Sequence, residues 1–483
     1  MKEKIILFSN RIKNYIKPAF ILSGLFLFGI SSIIRANFKY IDDYGRVLQG
    51  YKGWDDFSRY FSFGISAFVH ADNYLTDISP LPQVLACILL GFAGIIVIDS
   101  LKNSSDEKIS LWQMIAVIPL GLSPYFLECM SYKYDSVYMA LSVFVALLPM
   151  AFAETGLIAF SIASFCGTLL MLTTYQASSG IFPMIVILWT AKKLNEGSKI
   201  SEVFKKTGVA AGGYVLAMLI DKLFIIREVD EYVTSTVAPI EEIVTQFVNY
   251  YKQVISDFKT WWLIIIAIII ILYAVMYVKE SKINRAKSAG IAALSVALCI
   301  LLAFGTYPML KRASYYPRAM YGFGAMAALF CVAAVSYNKA YVARFFTVAL
   351  SWTFLVFSFS YGNALYEQGR YTDIRVEAVI NDIIDLDMAN TGEPVNVQLV
   401  GGIGKSPVIR NIPQGNYTIL DRLVPETFEE GWKWSEYYFY NYFDLDIVKA
   451  TGLEELNLPV IKETPYYTIK GADDNLVIEL KGK

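Results

Sequence analysis

Histidine is almost missing from this chain: its 483 residues include one, His70. A multi-histidine metal centre and any relay of two imidazoles are thereby excluded, and a lone imidazole reads first as a structural residue. Cysteine is scarce as well. Cys87, Cys129, Cys166, Cys299 and Cys331 lie in or beside apolar segments, odd in number and without CxxC spacing, so neither a disulfide framework nor a thiolate metal site is indicated. Charge is the third shortage. Only 18% of residues are charged and the formal net charge is -1, which counts against nucleic acid as a partner. What fills the chain instead is apolar: 55% hydrophobic residues, 15% aromatic, and a mean hydropathy of +0.45. That composition lies outside the soluble globular range and predicts a polytopic α-helical membrane protein.

A bilayer core needs about 20 apolar residues per crossing. Residues 1–17 carry Lys2, Lys4, Arg11, Lys13 and Lys17 around short apolar runs, the pattern of an interfacial amphipathic helix. Spans are then expected at 18–34, 81–101, 110–127, 136–153, 157–174, 180–191, 207–226, 261–278, 288–306, 319–336 and 343–361, about eleven in all. Basic residues at the N-terminus and at Lys192, Lys193, Lys199, Lys279, Lys282, Arg285, Lys287, Lys339 and Arg344, with the turn KNSSDEK after the second span, fall on one side. By the positive-inside rule that side is cytoplasmic, so the N-terminus is expected inside and the C-terminus outside. The expected division is a membrane domain over 1–361, with an outer catalytic loop at 36–80, and an outer C-terminal α/β domain over 362–483. In that last part an amphipathic run at Ile374–Met388, a strand-like NVQLV, a turn GGIGK and a hairpin-like YYTIKGADDNLVIEL follow one another. GGIGKS lacks the spacing of a phosphate-binding P-loop.

The richest polar stretch is Phe38 to Tyr60, FKYIDDYGRVLQGYKGWDDFSRY. Asp42 and Asp43 follow the first span directly; a carboxylate pair there can place a general base at the membrane surface, with Asp43 as the favoured base and Asp42 in support. A solvated turn is the other reading. Asp55 and Asp56 stand where a helix start would use a capping carboxylate. Three further segments are expected on the outer side. ECMSYKYDS, at 128–136, holds Lys133 and Asp135 close to the membrane. The stretch 227–262 repeats apolar residues at helical spacing from Ile240 to Phe258, which suits an amphipathic helix on the bilayer, covering a lipid entry route or simply lying there. The segment 306–324 carries Lys311, Arg312 and Arg318 where the positive-inside rule disfavours them, and such a cluster calls for an anion.

YIDDYGRVLQGYKGW after a first span, SPLPQ before the second, the YKYDS turn and the outward YYPRAMYG segment together resemble the serotype-converting O-antigen glucosyltransferases of the Gtr type, most strongly over about the first 140 residues. The resemblance implies a GT-C-like fold in a bacterial inner membrane, undecaprenyl-phosphate glucose as donor, an O-antigen or related envelope glycan as acceptor, transfer on the periplasmic side, and an essential acid at Asp42 or Asp43. Placement then offers Lys311, Arg312 and Arg318, with Arg46, for the donor phosphate, and Tyr44, Lys133 and Asp135 for other substrate contacts. No metal and no cofactor are expected; membrane lipid and a separate small flippase are the expected partners. An O-antigen polymerase or ligase, or a lipid-linked sugar transporter, are the alternatives. Transporters usually keep ionisable groups in mid-membrane, and here only Asp221 comes near that position.

Overall fold

Long apolar runs in lipid have to satisfy their backbone groups internally, and helix is how this sequence does it. The computed structural model describes residues 2–103, 108–227, 236–386, 394–412 and 417–482. They form two compact units. The first comprises Met1–Ser31, Gly53–Asp72 and Ile78–Phe359, the second Ser32–Lys52, Asn73–Asp77 and Ser360–Lys483.

Among the described residues six helices are long and apolar enough to cross a membrane: Leu81–Leu101, Ile200–Ile225, Thr260–Lys279, Arg285–Leu302, Pro317–Val335 and Tyr341–Asp385. Leu111–Leu122 and Pro124–Ser131, bent by 62°, make a seventh if the pair is one span. The expected count of about eleven is larger because hydropathy alone also counts segments that fold as shorter helices. Ser136–Leu147 gives way to a 3-10 turn containing Pro149, Leu157–Leu172 ends after 16 residues, and Ile181–Asn195 has 15, all short of a full crossing. At the N-terminus a single helix, Lys2–Gly29, with Pro18 inside it, replaces the separate interfacial helix and span. Its side chains before Asn14 lie outside the described residues, as do 104–107 of the KNSSDEK turn, 228–235 of the 227–262 stretch, and the end of the 374–388 run.

Within the first unit, every residue of the Gly322–Val335 helix is buried. Thr260–Lys279 and Arg285–Leu302, in contrast, expose Ile264, Ile271, Leu294 and Leu301, the apolar faces that lipid would cover. The start of the buried helix is tied by hydroxyls: Ser178 bonds Tyr321 at 2.6 Å and Ser142 at 2.8 Å. The expected amphipathic helix runs from Ile240 to Asp257. It buries Tyr250 and Val254 and exposes Ile240, Val244, Val248 and Ile255 as one row.

The second unit is built on a five-stranded sheet of order β2-β1-β5-β4-β3, with β1 Val395–Gly402, β2 Ile447–Lys449, β3 Val460–Glu463, β4 Tyr467–Ala472 and β5 Asn475–Lys481. β1 runs parallel to β2 and β5, and β4 antiparallel to β3 and β5. The YYTIKGADDNLVIEL stretch is the β4–β5 hairpin, closing at Ala472 and Asn475. Val379, Ile380 and Ile383 pack with Val397, Leu399, Ile469 and Ile478 as its core. Two boundaries differ from expectation. The helix Tyr341–Asp385 passes through residue 361 without a break, and Ser32–Lys52 belongs with the sheet unit because Tyr44 inserts into that core. After β1, Lys405 pairs with the Asp421 carboxylate at 2.6 Å, so the GGIGKS lysine is committed within the protein.

One ion cluster in the first unit makes a pH-dependent prediction. Glu154 accepts from Lys193 at 2.7 Å and Lys206 at 3.0 Å. Burial pushes its carboxyl up, but the hydrogen bonds and charges of the two lysines outweigh that and hold it at about 2, against an ordinary 4.5. A depressed carboxyl stabilises the fold above its unfolded pKa and loses that contribution as pH falls through the folded one. Melting temperatures of wild type and Glu154→Gln in detergent should therefore differ at pH 7 and converge as the pH is lowered from 4.5 towards 2; a gap independent of pH would show that the lysines do not hold the charge.

Candidate active site

In the second unit the helix Ser31–Ala36 ends and the chain turns through Asn37 and Ile41, both at positive φ (48° and 47°). For a β-branched residue that conformation costs on the order of 1–2 kcal/mol, so neighbours must hold it. They do: the Tyr40 N–H donates to Asp43 Oδ2 at 2.9 Å, and the Tyr40 hydroxyl donates to the Leu423 carbonyl at 2.9 Å. Asp43 is fully buried, while Asp42 is half-buried and its carbonyl accepts from the Gly45 and Arg46 amides. The short helix Asp43–Gln49 then ends at Gly50, whose φ of 57° supplies the left-handed cap. Gly45 is required by proximity, since a Cβ there would lie 2.3 Å from Cε3 of Trp434. Trp434 stacks on Tyr51 at 5.0 Å, and the Arg46 guanidinium sits 5.5 Å over the same Tyr51 ring. Arg46 is only 4% exposed. Tyr44 needs correction as a substrate contact: its ring is buried in the hydrophobic cluster of the sheet and its hydroxyl faces Thr427 at 3.4 Å.

The first unit gathers the remaining candidates. Glu128, 2% exposed, accepts both the backbone N–H of Arg318 (2.5 Å) and its Nη1 (2.8 Å). The Arg318 guanidinium also lies 4.5 Å over the Tyr316 ring. Asp135 is buried and accepts from the Trp54 indole at 2.5 Å, with Trp54 packed edge-on against Tyr138 at 4.6 Å. Lys133 is buried too, and His70 stacks on Tyr134 with rings 9° from parallel. Lys311 and Arg312 remain exposed. Their segment is tied to neighbouring chain by the Lys311 N–H to the Thr236 carbonyl and by the Tyr250 hydroxyl to the Ser314 carbonyl. Asp55 and Asp56 are corrected: both are exposed in a 3-10 turn, and the helix Tyr60–Val69 starts at Arg59 without a side-chain cap.

The structure thus brings Arg318 to Glu128 and Asp135 to Trp54, and leaves Lys311 and Arg312 at the surface. Glu128 and Arg59 were missed by the sequence reading. A signal for Glu128 exists: it stands alone among Pro124, Tyr125, Phe126 and Leu127, and a single acid in an apolar helix is expensive unless something pairs it. Among the described residues no three His, Cys, Asp or Glu side chains gather as a metal-holding group.

Comparison with known proteins adds two similarities. A family described as Glucosyl transferase GtrII matches residues 31–329. A protein of Salmonella phage P22, described as an uncharacterized 55.3 kDa protein in the gtrB 5' region, is 23% identical over 415 residues, covering 82% of this chain and 84% of that one. No solved structure matches.

The buried Glu128–Arg318 pair yields a stability prediction. Removing one charge of such a pair strands the other, at a cost of about 3 kcal/mol or more. Glu128→Gln should lower the thermal midpoint in detergent by several degrees, and Glu128→Gln combined with Arg318→Met should recover part of the loss; an unshifted midpoint for the single variant would mean the pair is solvated.

Proposed function

Because the chain belongs to the GtrII glucosyl transferase family, we propose that it moves glucose from undecaprenyl phosphate to an O-antigen or related envelope glycan, at the periplasmic face of a bacterial inner membrane. The observation that carries the reading is the extent of the family match, which takes in both the Asp42–Asp43 pair and the Arg318 segment. The apolar helices support a membrane setting, and the phage relative's description, by its gtrB region, agrees with the family assignment. The outer C-terminal domain is the sheet-bearing part after residue 361, reached by counting basic loops inside.

The proposed step is a single displacement. An acceptor hydroxyl attacks the anomeric carbon of the glucosyl phosphate, its proton passes to an aspartate, and the anomeric C–O bond breaks with its electron pair going to the phosphate oxygen. The product is inverted at the anomeric carbon. A base has to reach an acceptor hydroxyl, so the partial exposure of Asp42 favours it as base. Asp43, buried and held by the Tyr40 amide, orients the turn; this reverses the preference drawn from sequence. The departing monophosphate gains negative charge, which Arg318, Arg46, Lys311 and Arg312 are proposed to stabilise. Lys133 and Asp135, with the tyrosines around them, are proposed to hold sugar hydroxyls. No cofactor is invoked, and a separate flippase would deliver the donor. A polymerase or ligase would instead take a diphosphate-linked donor.

Purified protein given radiolabelled undecaprenyl-phosphate sugars and envelope glycans tests the reaction. Transfer of glucose from the monophosphate lipid with inversion is expected; retention, or use of the diphosphate lipid alone, overturns the reading. In that assay Asp42→Asn should lower turnover by about a hundredfold to ten-thousandfold with little change in donor affinity, while Asp43→Asn keeps a measurable fraction. Full activity of both variants would remove the pair from the chemistry. Orientation has its own test. With the exposed Cys166 replaced, a cysteine at Lys39 or beyond Gly362 should react with a membrane-impermeant thiol reagent in outer-permeabilised cells, and one at Lys282 should not; the opposite pattern inverts the topology.

A further inference from the structure

Tyr175 meets two arginines of the first unit, one by its backbone and one by its side chain. The Tyr175 hydroxyl donates to the Arg318 carbonyl at 3.2 Å, and the Arg59 guanidinium lies 4.5 Å over the Tyr175 ring. Their surroundings differ. Arg318 has a carboxylate of its own, since Glu128 takes both its backbone amide and its Nη1. Arg59 has aromatic faces: Tyr175 on one side and Phe57, 5.2 Å away, on another. Its Nε is shielded from solvent with no acceptor among the described residues, and none of their carboxylates forms an ion pair with it.

A shielded guanidinium N–H without an acceptor is expensive, and on the partly buried Arg59 a bound anion would offset that cost. A second feature points the same way. The ten-residue helix Tyr60–Val69 begins immediately after Arg59 with no side-chain cap, so its positive end adds to the field around the guanidinium. The helix start is fixed rather than loose, because the Phe61 N–H donates to the Thr173 carbonyl at 2.9 Å in the turn that leads to Tyr175. The Arg59 guanidinium over the Tyr175 ring carries the planar fork of donors that suits bidentate bonding to a phosphate.

We propose that Arg59 joins Arg318, which Glu128 holds in place, in gripping the phosphate of the lipid-linked donor. This rests on the glucosyltransferase reading given above and names the ligand chemistry of its phosphate site: a phosphate ester, carried on a polyprenyl chain. The phosphodiester of the donor has one negative charge. Once the anomeric C–O bond breaks and the electron pair stays with the phosphate oxygen, the monoester product carries up to two. Arg59 therefore binds the leaving group more tightly than the bound donor, which is the direction catalysis requires.

Binding to the purified full chain in detergent tests the proposal, with undecaprenyl phosphate and inorganic phosphate as probes. Wild type is expected to bind the lipid phosphate, and Arg59→Gln to weaken it about tenfold to a hundredfold, the value of a lost charged hydrogen bond or two, with an unchanged melting temperature. Arg59→Lys keeps the charge but not the fork and should recover part of the affinity; it also serves as the readable variant if Arg59→Gln does not fold. Wild-type affinity in both variants overturns the role of Arg59 and leaves the glucosyltransferase reading standing. Binding of inorganic phosphate but not of the lipid, lost in Arg59→Gln, keeps Arg59 as an anion ligand and overturns the lipid donor. Failure of wild type to bind either probe overturns both.

Discussion

Glu128 is the constraint on which the first unit's polar end depends. A carboxylate 2% exposed is tolerable only when its lone pairs are used, and here one oxygen takes the Arg318 amide and the other its guanidinium. That double attachment pins the first turn of Pro317–Val335 to the helix Pro124–Ser131. Tyr175, through its bond to the Arg318 carbonyl, and the Ser142–Ser178–Tyr321 hydroxyls then lock the next residues. The aromatic faces around Arg59 and Arg318 take their positions from this framework.

The second unit solves a different problem with the same economy. Its carboxylate pair sits on a turn whose backbone is strained at Ile41, and the strain persists because Tyr40 is bonded at both ends, amide to Asp43 and hydroxyl to Leu423. Gly45 admits the Trp434 ring against the short helix, and Tyr44 anchors that helix in the core beneath the sheet. Such strain beside a buried carboxylate persists only where the neighbours over-determine it, as they do at Asp43.

Much of this was legible from residue order, and the parts that were not have physical reasons. Helix location followed from hydropathy, because each apolar run has to close its own hydrogen bonds; the β4–β5 hairpin followed from alternating strands around ADDN. Crossing number did not, since whether a 15- or 16-residue helix spans depends on where proline and packing end it, as at Pro149. Unit boundaries were missed because Tyr44 looks like any loop aromatic until the core that receives it, some 330 residues later in the chain, is known. The roles of Asp55 and Asp56 were misread from a local rule for helix starts that the fold did not use. Glu128 was visible as a charge in an apolar run, yet its partner lies 190 residues away, and no spacing rule links the two. Arg59 was hidden by its neighbours: at the end of a loop rich in aspartate it reads as balanced charge, and only its placement against Tyr175 separates it from them.

The wholly buried helix Gly322–Val335 has a consequence for biosynthesis. It packs on Leu81–Leu101, Leu111–Leu122, Ile181–Asn195 and Thr260–Lys279, all of which leave the ribosome before it does. Until residue 335 emerges, the faces of those helices that the buried helix covers in the folded chain lack this partner. The most buried helix of the unit is thus made after the helices it packs on, and a nascent chain arrested before this point leaves their shared faces uncovered.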